Sequence, residues 1–599
     1  MFLLPGLLLS GASARASSFA KAMLFALCAG VPGWAVITHV ATRAAIAPGG
    51  LGFRLLVVAA LAGSLVAAQW LAVRRSRIAS WVGSADTRGQ ILVTSMVIFA
   101  LALLMGPRVM WQDLSGDGAH MFEATRLLTL KGAPFWGRGW VGGMSSWPGV
   151  NTVAFLYPAA WHMYLVGAVD AAVRLPFFLF LALVPFGVVA LASVRSTRTV
   201  GAGAFLLAWL CTAVYAVSVA YSAGYNEYTV DLALPSTQDT MFIVCVMAFL
   251  VGFLDGEFVL LLAGLVLSLC GLPSGIQIAL LWVMVSVVLL RPVDRRLLIA
   301  TVVCIVAFVL AQPLLSWLLA TLGLPQPGKE HGVESLVRYY GTLQVTDVRR
   351  LLFVIVPGGI LPALALAWWG GRDRVSGAIV ALTGCYFLAF YIQGATQLHY
   401  YIPAMVLPIA VHVRGLTAHP SRRWMTATAL AGAVALAVSW PPYIEPVTTL
   451  RAISSRVVVR VPGYDAMTRE YFRSTRVLSD LFTSEASELA QVDGTALALQ
   501  RHARRQLTVD AGTQYVVQRE IDPVPPGFTA RTAFDSFVLY AREEGRGTLT
   551  ALVKTPPTAA AHIYRIPWAM RLGGRLNQSP WLWNIRPQLA RLLGTDRPD

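Results

Sequence analysis

Charge is what this sequence has least of. Asp, Glu, Lys and Arg make up 13% of its 599 residues and 56% are hydrophobic, whereas an ordinary soluble protein carries charge on about a quarter of its residues. That shortage excludes a soluble enzyme. Acid is scarcer than base, with 30 Asp and Glu against 47 Lys and Arg and a formal net charge of +17. The bases are arginines dispersed among loops, without a basic block or a nucleic-acid motif, so nucleic acid is excluded as a partner. The excess reads as a topology signal with lipid-headgroup and phosphate contact. Paired cysteine spacing is missing too. Cys28, Cys211, Cys245, Cys270, Cys304 and Cys385 all fall inside apolar runs, as packing residues rather than disulfides or metal ligands. Finally, the stretch Met1 to Ala16 ends in Ala-Arg-Ala but lacks a basic n-region, which favours a retained N-terminus over a cleaved signal.

Long apolar runs are what the chain has in abundance. They recur from Ser18 to Trp440, each of about 20 residues and long enough to cross about 30 Å of hydrocarbon as a helix. After Trp440 the pattern stops. Residues 441–599 read as a mixed-polarity α/β domain, with strands at Tyr515-Val-Val-Gln-Arg-Glu and Phe537-Val-Leu-Tyr-Ala-Arg behind a helix from about Ser484 to His502. No catalytic constellation stands out in it; positioning an acceptor, bracing the outer loops, or a purely structural role fits it.

Arginine placement orients the spans. Arg74-Arg75-Ser-Arg77 with Arg88, Arg291 to Arg296, Arg372 to Arg374 and Arg414 to Arg423 mark cytoplasmic loops. Counting back from Arg291 and forward from Arg74 gives two answers that clash if Val150 to Val169 is a full span. That segment contains Pro158, Trp161, His162 and Tyr164, residues suited to a headgroup interface, and is therefore expected to lie on or dip into the outer surface. The result is about 13 spans, a cytoplasmic N-terminus and an extracytoplasmic C-terminal domain. Residues 1–89 carry two extra spans, residues 90–440 form the membrane body, and its larger segments 110–172, 221–239 and 323–349 share the outer face. Nucleotide-activated donors are normally absent there.

Those segments hold the residues that could carry chemistry. The first contains Trp111-Gln-Asp113-Leu-Ser-Gly-Asp117-Gly-Ala-His120-Met-Phe-Glu123-Ala-Thr-Arg126. Met121, Ala124, Thr125 and Leu128 fall at helical spacing, so an amphipathic helix begins at Asp117 and stops at Gly132. Asp117 is either its N-cap or a carboxylate placed at the membrane surface as a base or metal ligand. The second segment ends in Leu234-Pro-Ser-Thr-Gln-Asp239, where Asp239 is either half of a capping box with Ser236 or a second functional acid. The third offers Lys329-Glu-His331 and Arg338-Tyr339-Tyr340; Lys131 and Lys329 stand out in a chain where lysine is rare. Gln397-Leu-His399-Tyr400-Tyr401-Ile-Pro403 opens a late span, as an aromatic belt or as a binding edge.

In this order the segments resemble the GT-C glycosyltransferases, in particular the protein-mannosyltransferase and aminoarabinose-transferase type. Similar to that family are the Asp after an outward span with an amphipathic helix behind it, and Tyr157-Pro158-Ala-Ala-Trp161-His-Met-Tyr164 as a surface helix. So are Val173-Arg174-Leu175-Pro176 opening a span, and Asp239 at a span's outer mouth. The resemblance covers about Gln90 to Trp440. It departs from the pattern in two places: Asp117 is followed by Gly118 rather than a second acid, although Asp113 could supply one, and the surface helix has a single proline.

The resemblance implies an all-α polytopic GT-C-like membrane glycosyltransferase of the cell membrane. It would move a sugar from a polyprenyl-phosphate donor to a hydroxyl on a glycan, lipid or protein. Asp117 would be the base and Asp239 a metal or acceptor ligand; a divalent ion, Mg or Mn, is the one cofactor implied. Asp113, His120, Arg126, Lys131, Arg138, Lys329, His331, Arg338, His399 and Tyr400 are the candidate substrate contacts. A transporter or lipid flippase is the competing class, but the spans are almost free of charge, with Gln69, Gln277 and Gln312 the main polar intruders, and no internal repeat is visible. A non-catalytic scaffold of the same fold is the third.

Overall fold

The computed structural model describes residues 3, 18–46, 50–72, 85–111, 125, 128, 129, 153–166, 171–195, 200–221, 235–272, 274–321, 367, 373–392, 401–418, 422–439, 515–519, 526–534 and 537–542. The membrane body is helical: α1 (Phe19–Arg43), α2 (Leu51–Ala72), α3 (Ala85–Trp111), α4 (Val153–Val166), α5 (Ala171–Arg174), α6 (Pro176–Ala192) and α7 (Ala202–Tyr221) come first. They are followed by α8 (Pro235–Asp255), α9 (Phe258–Leu269), α10 (Ser274–Leu289), α11 (Arg295–Thr321), α12 (Arg374–Ile392), α13 (Ile402–Ala418) and α14 (Arg422–Ser439). Among the described residues, Phe19–Arg43, Ala172–Ala192 and Gln238–Asp255 are long and apolar enough to cross a bilayer, and several shorter apolar helices accompany them. The chain is an integral membrane protein.

The core lies around α8, from which Met241 to Val251 are buried without interruption. Lipid supplies no hydrophobic drive between helices, so close packing has to hold them together. Small residues supply it here. Gly252 of α8 faces the Leu260–Leu261 backbone and Gly264 of α9 faces the Ala248–Phe249 backbone, each so closely that a Cβ would overlap the partner's main chain. The turn between the two helices is closed by Gly256, whose φ of 76° suits glycine, with the Glu257 N–H donating to the Gly252 carbonyl at 2.8 Å. This is the Schellman arrangement. By contrast α11 turns Ile299, Val302, Val303, Val306, Leu310, Leu314 and Trp317 outward, a face suited to lipid.

Long-range polar contacts gather the arginine-bearing turns at one end of the bundle. Lys21, at the start of α1, pairs with Asp255 at the end of α8. Arg195 donates from its backbone N–H to Asp255 Oδ1 (3.3 Å) and from Nε to the Leu254 carbonyl (2.9 Å). Arg414 binds Asp373 at 2.6 Å and the carbonyl of Ala192 at 3.0 Å, while Arg374 reaches the Arg291 carbonyl. Burial pushes the Asp373 carboxyl up, but the Ser376 N–H, Arg414 and the Ser376 hydroxyl together hold it below the ordinary carboxylate range. Of the loops that arginine count alone assigns to one side of the membrane, those at 195, 291, 373–374 and 414 are thus linked in space; Arg74, Arg75 and Arg77 lie outside the described residues.

The far end carries the other set of turns, and α4 belongs to it. Its first residues meet the α9–α10 turn, where the Ala154 N–H donates to the Cys270 carbonyl at 3.1 Å. Its last turn meets the α1–α2 turn, where Tyr164 stacks on Phe53 with ring centroids 4.5 Å apart. Both ends of α4 therefore touch the same end of the bundle, and its 14 residues extend only about 21 Å at about 1.5 Å per residue. It does not span. The expectation that its aromatics face headgroups needs correcting, however. Trp161 and Tyr164 are buried, because Trp161 packs on Trp34 of α1 at 5.2 Å and the Tyr164 hydroxyl finds protein partners.

The C-terminal residues described form a three-stranded antiparallel sheet of β1 (Tyr515–Arg519), β2 (Phe528–Phe534) and β3 (Phe537–Arg542), in the order β1-β3-β2. Tyr515 pairs with Ala541 and Phe528 with Arg542, with an irregularity between Ala530 and Thr532. β1 and β3 are the strands expected from sequence. β2 is additional; its Thr529, Arg531 and Thr532 dilute the apolar alternation. The helix expected at about 484–502 lies outside the described residues.

Candidate active site

The far end is assembled from α1, α4, α8 and the α9–α10 turn. The Tyr157 hydroxyl lies 3.0 Å from His39 Nε2, with the two rings edge to face. Tyr157 is also close to Cys270, and burial raises its phenol above the ordinary range, the cysteine adding to the effect. Next to Cys270, the Gly271 carbonyl accepts from Gln238 Nε2 at 2.8 Å. Asp239 follows Gln238 and is 5% exposed.

α8 begins at Pro235 and has no acidic residue in its first turn, so Asp239 lies in the second turn, beyond the position that a capping box with Ser236 requires. Proline at the first helical position explains the earlier start, since it needs no N–H partner there. Asp239 is thus a buried carboxylate near a helix start.

Its companion is a residue that sequence reading passed over as a span opener. Among the described residues only two charged side chains are buried, Asp239 and Arg174, the latter 1% exposed. α6 and α8 run in parallel with a constant offset, because Gly187 packs on Met247 and Arg195 binds Asp255. On that register Arg174 lies about 7 Å farther along the bundle axis than Asp239, at about 1.5 Å per residue. Both charges therefore belong to the far end. The signal in the sequence was an arginine flanked by apolar residues, Ala171-Ala-Val-Arg174-Leu-Pro-Phe, rather than one in a polar loop.

His162 nearby is ruled out as a charge carrier. His162 is expected at an interface, but burial pushes its imidazole down to about 4, opposed by the Nδ1–H bond to the Pro158 carbonyl at 2.7 Å. It is neutral at physiological pH. Of the residues proposed from sequence, Asp239 is placed as described. Asp113, Asp117, His120, Arg126, Lys131, Arg138, Lys329, His331, Arg338, His399 and Tyr400 lie outside the described residues. Thr125 and Leu128, on the expected inner face of the amphipathic helix that begins at Asp117, are helical and buried. Among the described residues no three His, Cys, Asp or Glu side chains converge as a metal site, and Asp239 alone does not make one.

No family model matches the chain, and no curated protein does. Solved structures similar to it include two of one protein. One is ArnT from Cupriavidus metallidurans bound to undecaprenyl phosphate, at a TM-score of 0.41 and 17% identity, covering 70% of this chain and 77% of that one. The other is ArnT from the same organism in the apo state, at a TM-score of 0.42 and 18% identity with the same coverage. Likeness at this level says nothing of function.

Proposed function

We propose that the chain is a membrane glycosyltransferase that moves a sugar from a polyprenyl-phosphate donor to a hydroxyl acceptor on the extracytoplasmic face. The observation that carries this reading is the placement of buried charge: Asp239 and Arg174 both belong to the end opposite the arginine-bearing turns. Charge buried along a transport path would be expected nearer mid-membrane. If the arginine end is cytoplasmic, the buried pair faces the compartment in which lipid-linked sugars are the available donors.

The chemistry is one displacement at the anomeric carbon. The acceptor oxygen attacks that carbon, the bond to the phosphate oxygen breaks and its electron pair leaves with the phosphate. The hydroxyl proton passes to the Asp117 carboxylate. Inversion follows from the single step. Arg174, Lys131, Arg138, Lys329 and Arg338 are the cations available to offset the charge gathering on the departing phosphate, with Asp113, His120, Arg126, His331, His399 and Tyr400 as donor or acceptor contacts. Asp239 would orient the acceptor. Together with Asp117 it would also hold Mg or Mn, which when bound supplies further charge neutralisation at the phosphate.

Transfer from a radiolabelled polyprenyl-phosphate sugar tests the reading. Asp117→Asn should abolish it while expression and membrane insertion stay intact. Near-normal transfer by that variant removes Asp117 as the base, and absence of product with the parent chain across sugar donors removes the enzyme.

A further inference from the structure

The arginine end of the bundle carries a charged surface that its own ion pairs leave unmatched. Arg291 follows α10, where its Nε donates to the Val287 carbonyl at 3.1 Å. Arg295 and Arg296 open α11, and Arg374 opens α12 and donates to the Arg291 carbonyl. All four are exposed. The two acids in these turns are engaged elsewhere: Asp294 Oδ1 accepts from the Arg296 backbone N–H at 2.9 Å, and Asp373 holds Arg414. Among the described residues none of the four guanidinium groups has a carboxylate partner.

The same turns mark a change from apolar to charged surface. On α10, Met284, Val287 and Val288 are exposed, and the two valines precede Arg291 by four and three residues. On α11, Ile299 is exposed, four residues after Arg295 and three after Arg296, and Val302, Val303 and Val306 continue its face. Residues at these spacings share a helix face. One outward stripe on each helix therefore passes from apolar to arginine within a single turn, as the bilayer passes from acyl chain to headgroup. α10 packs against both α11 and α12, which joins the stripes and Arg374 into one patch. Guanidinium groups pair with phosphate through two parallel hydrogen bonds. The amine of a zwitterionic headgroup would add a cation to a patch that is already positive, so a headgroup of net negative charge fits it.

We propose that the α10–α11 turn and the start of α12 form a binding site for an anionic phospholipid of the adjoining leaflet. Its phosphate is held by Arg295, Arg296 and Arg374, with Arg291 beside them, and its acyl chains lie on the outward faces of α10 and α11. The inference does not rest on the transferase reading. Arginines that only mark topology act during insertion and need no fixed arrangement. Here Arg374 is brought to Arg291 across 83 positions of sequence, so two separate loops converge on one patch. Basic pockets between membrane helices hold anionic headgroups in this way.

The test uses the full chain, stripped of lipid in detergent and titrated with phosphatidylglycerol or phosphatidylcholine, with bound lipid counted by native mass spectrometry. The parent should bind phosphatidylglycerol about tenfold or more tighter. Arg295→Gln, Arg296→Gln and Arg374→Gln combined should remove that preference. Arg43→Gln, Arg54→Gln and Arg423→Gln combined, which take the same charge from exposed arginines elsewhere, should keep it. Equal affinity of the parent for the two lipids, or the same loss in both triple variants, overturns the proposal. Displacement of phosphatidylglycerol by inorganic phosphate would show a site for free phosphate and overturn it as well. Thermal unfolding in phosphatidylcholine nanodiscs, expected to match the parent's in both variants, separates lost preference from lost folding. If the first variant fails to fold, the parent chain still decides. Phosphatidylglycerol with a photoreactive acyl chain should label residues 284–303 above the exposed Leu55, Val58 and Val66 of α2, and even labelling overturns the proposal.

Discussion

Asp239 is informative because of where its helix starts. An aspartate five residues into α8, 5% exposed and beside a glutamine that clamps the neighbouring turn, is a buried carboxylate at the proposed site. Asp239→Asn should therefore reduce transfer about a hundredfold or more, the scale on which a positioned acid–base or oxyanion group acts, with little change in stability. A purely helix-dipole role predicts the reverse: activity kept and a stability loss of about 1 kcal/mol. Thermal denaturation measured beside the transfer assay separates the two. Sequence made Asp239 visible but not its burial, which depends on how α8 packs against its neighbours. Arg174 was harder to see. An arginine before Leu-Pro looks like an ordinary span boundary at the outer end, and only the packing of the helices shows that it is buried there.

At the scale of elements, the strongest commitment is the α8–α9 hairpin. Gly252 and Gly264 permit backbone contact that no side chain tolerates. Gly264→Ala should lower the yield of folded protein and its thermal stability by about 1–3 kcal/mol, the usual cost of overpacking, with Gly252→Ala similar. Gly377, around which a Cβ meets nothing within 4 Å, serves as the control. Stability equal to that of the parent in all three would show the crossing to be looser than described. Helices of this kind are legible from composition alone, since about 20 apolar residues in lipid have no other way to satisfy their backbone. The short surface helix was legible as well, through the conflict between two arginine counts. The inward turn of Trp161 and Tyr164 was not, because it depends on Trp34 and Phe53, which are distant in sequence. Nor was β2, whose threonines and arginine hide its alternation.

For the whole molecule, polar contacts sort the turns into two ends, and sidedness reduces to one question about either. Alkaline phosphatase, which becomes active only where its disulfides can form, should be active when fused after Leu272 and inactive after Asp294. The opposite result would invert the orientation and move the proposed site to the cytoplasm, where lipid-linked donors lose their advantage. Arginine distribution anticipated this sorting because loop charge acts during insertion and needs no tertiary structure. The membership of α1 was hidden from sequence, since nothing in its own residues distinguishes a central span from a peripheral one.

The ion pair between Lys21 and Asp255 also sets a timetable. At about 5–20 residues per second, a ribosome that has just made the first helix needs on the order of tens of seconds to reach the carboxylate that its lysine will bind. Until then that helix waits at the membrane with a cation unmatched and one face of small and aromatic side chains uncovered. That helix is among the last to be finished, and a chain cut short before Asp255 has no carboxylate there to join it to the end of α8.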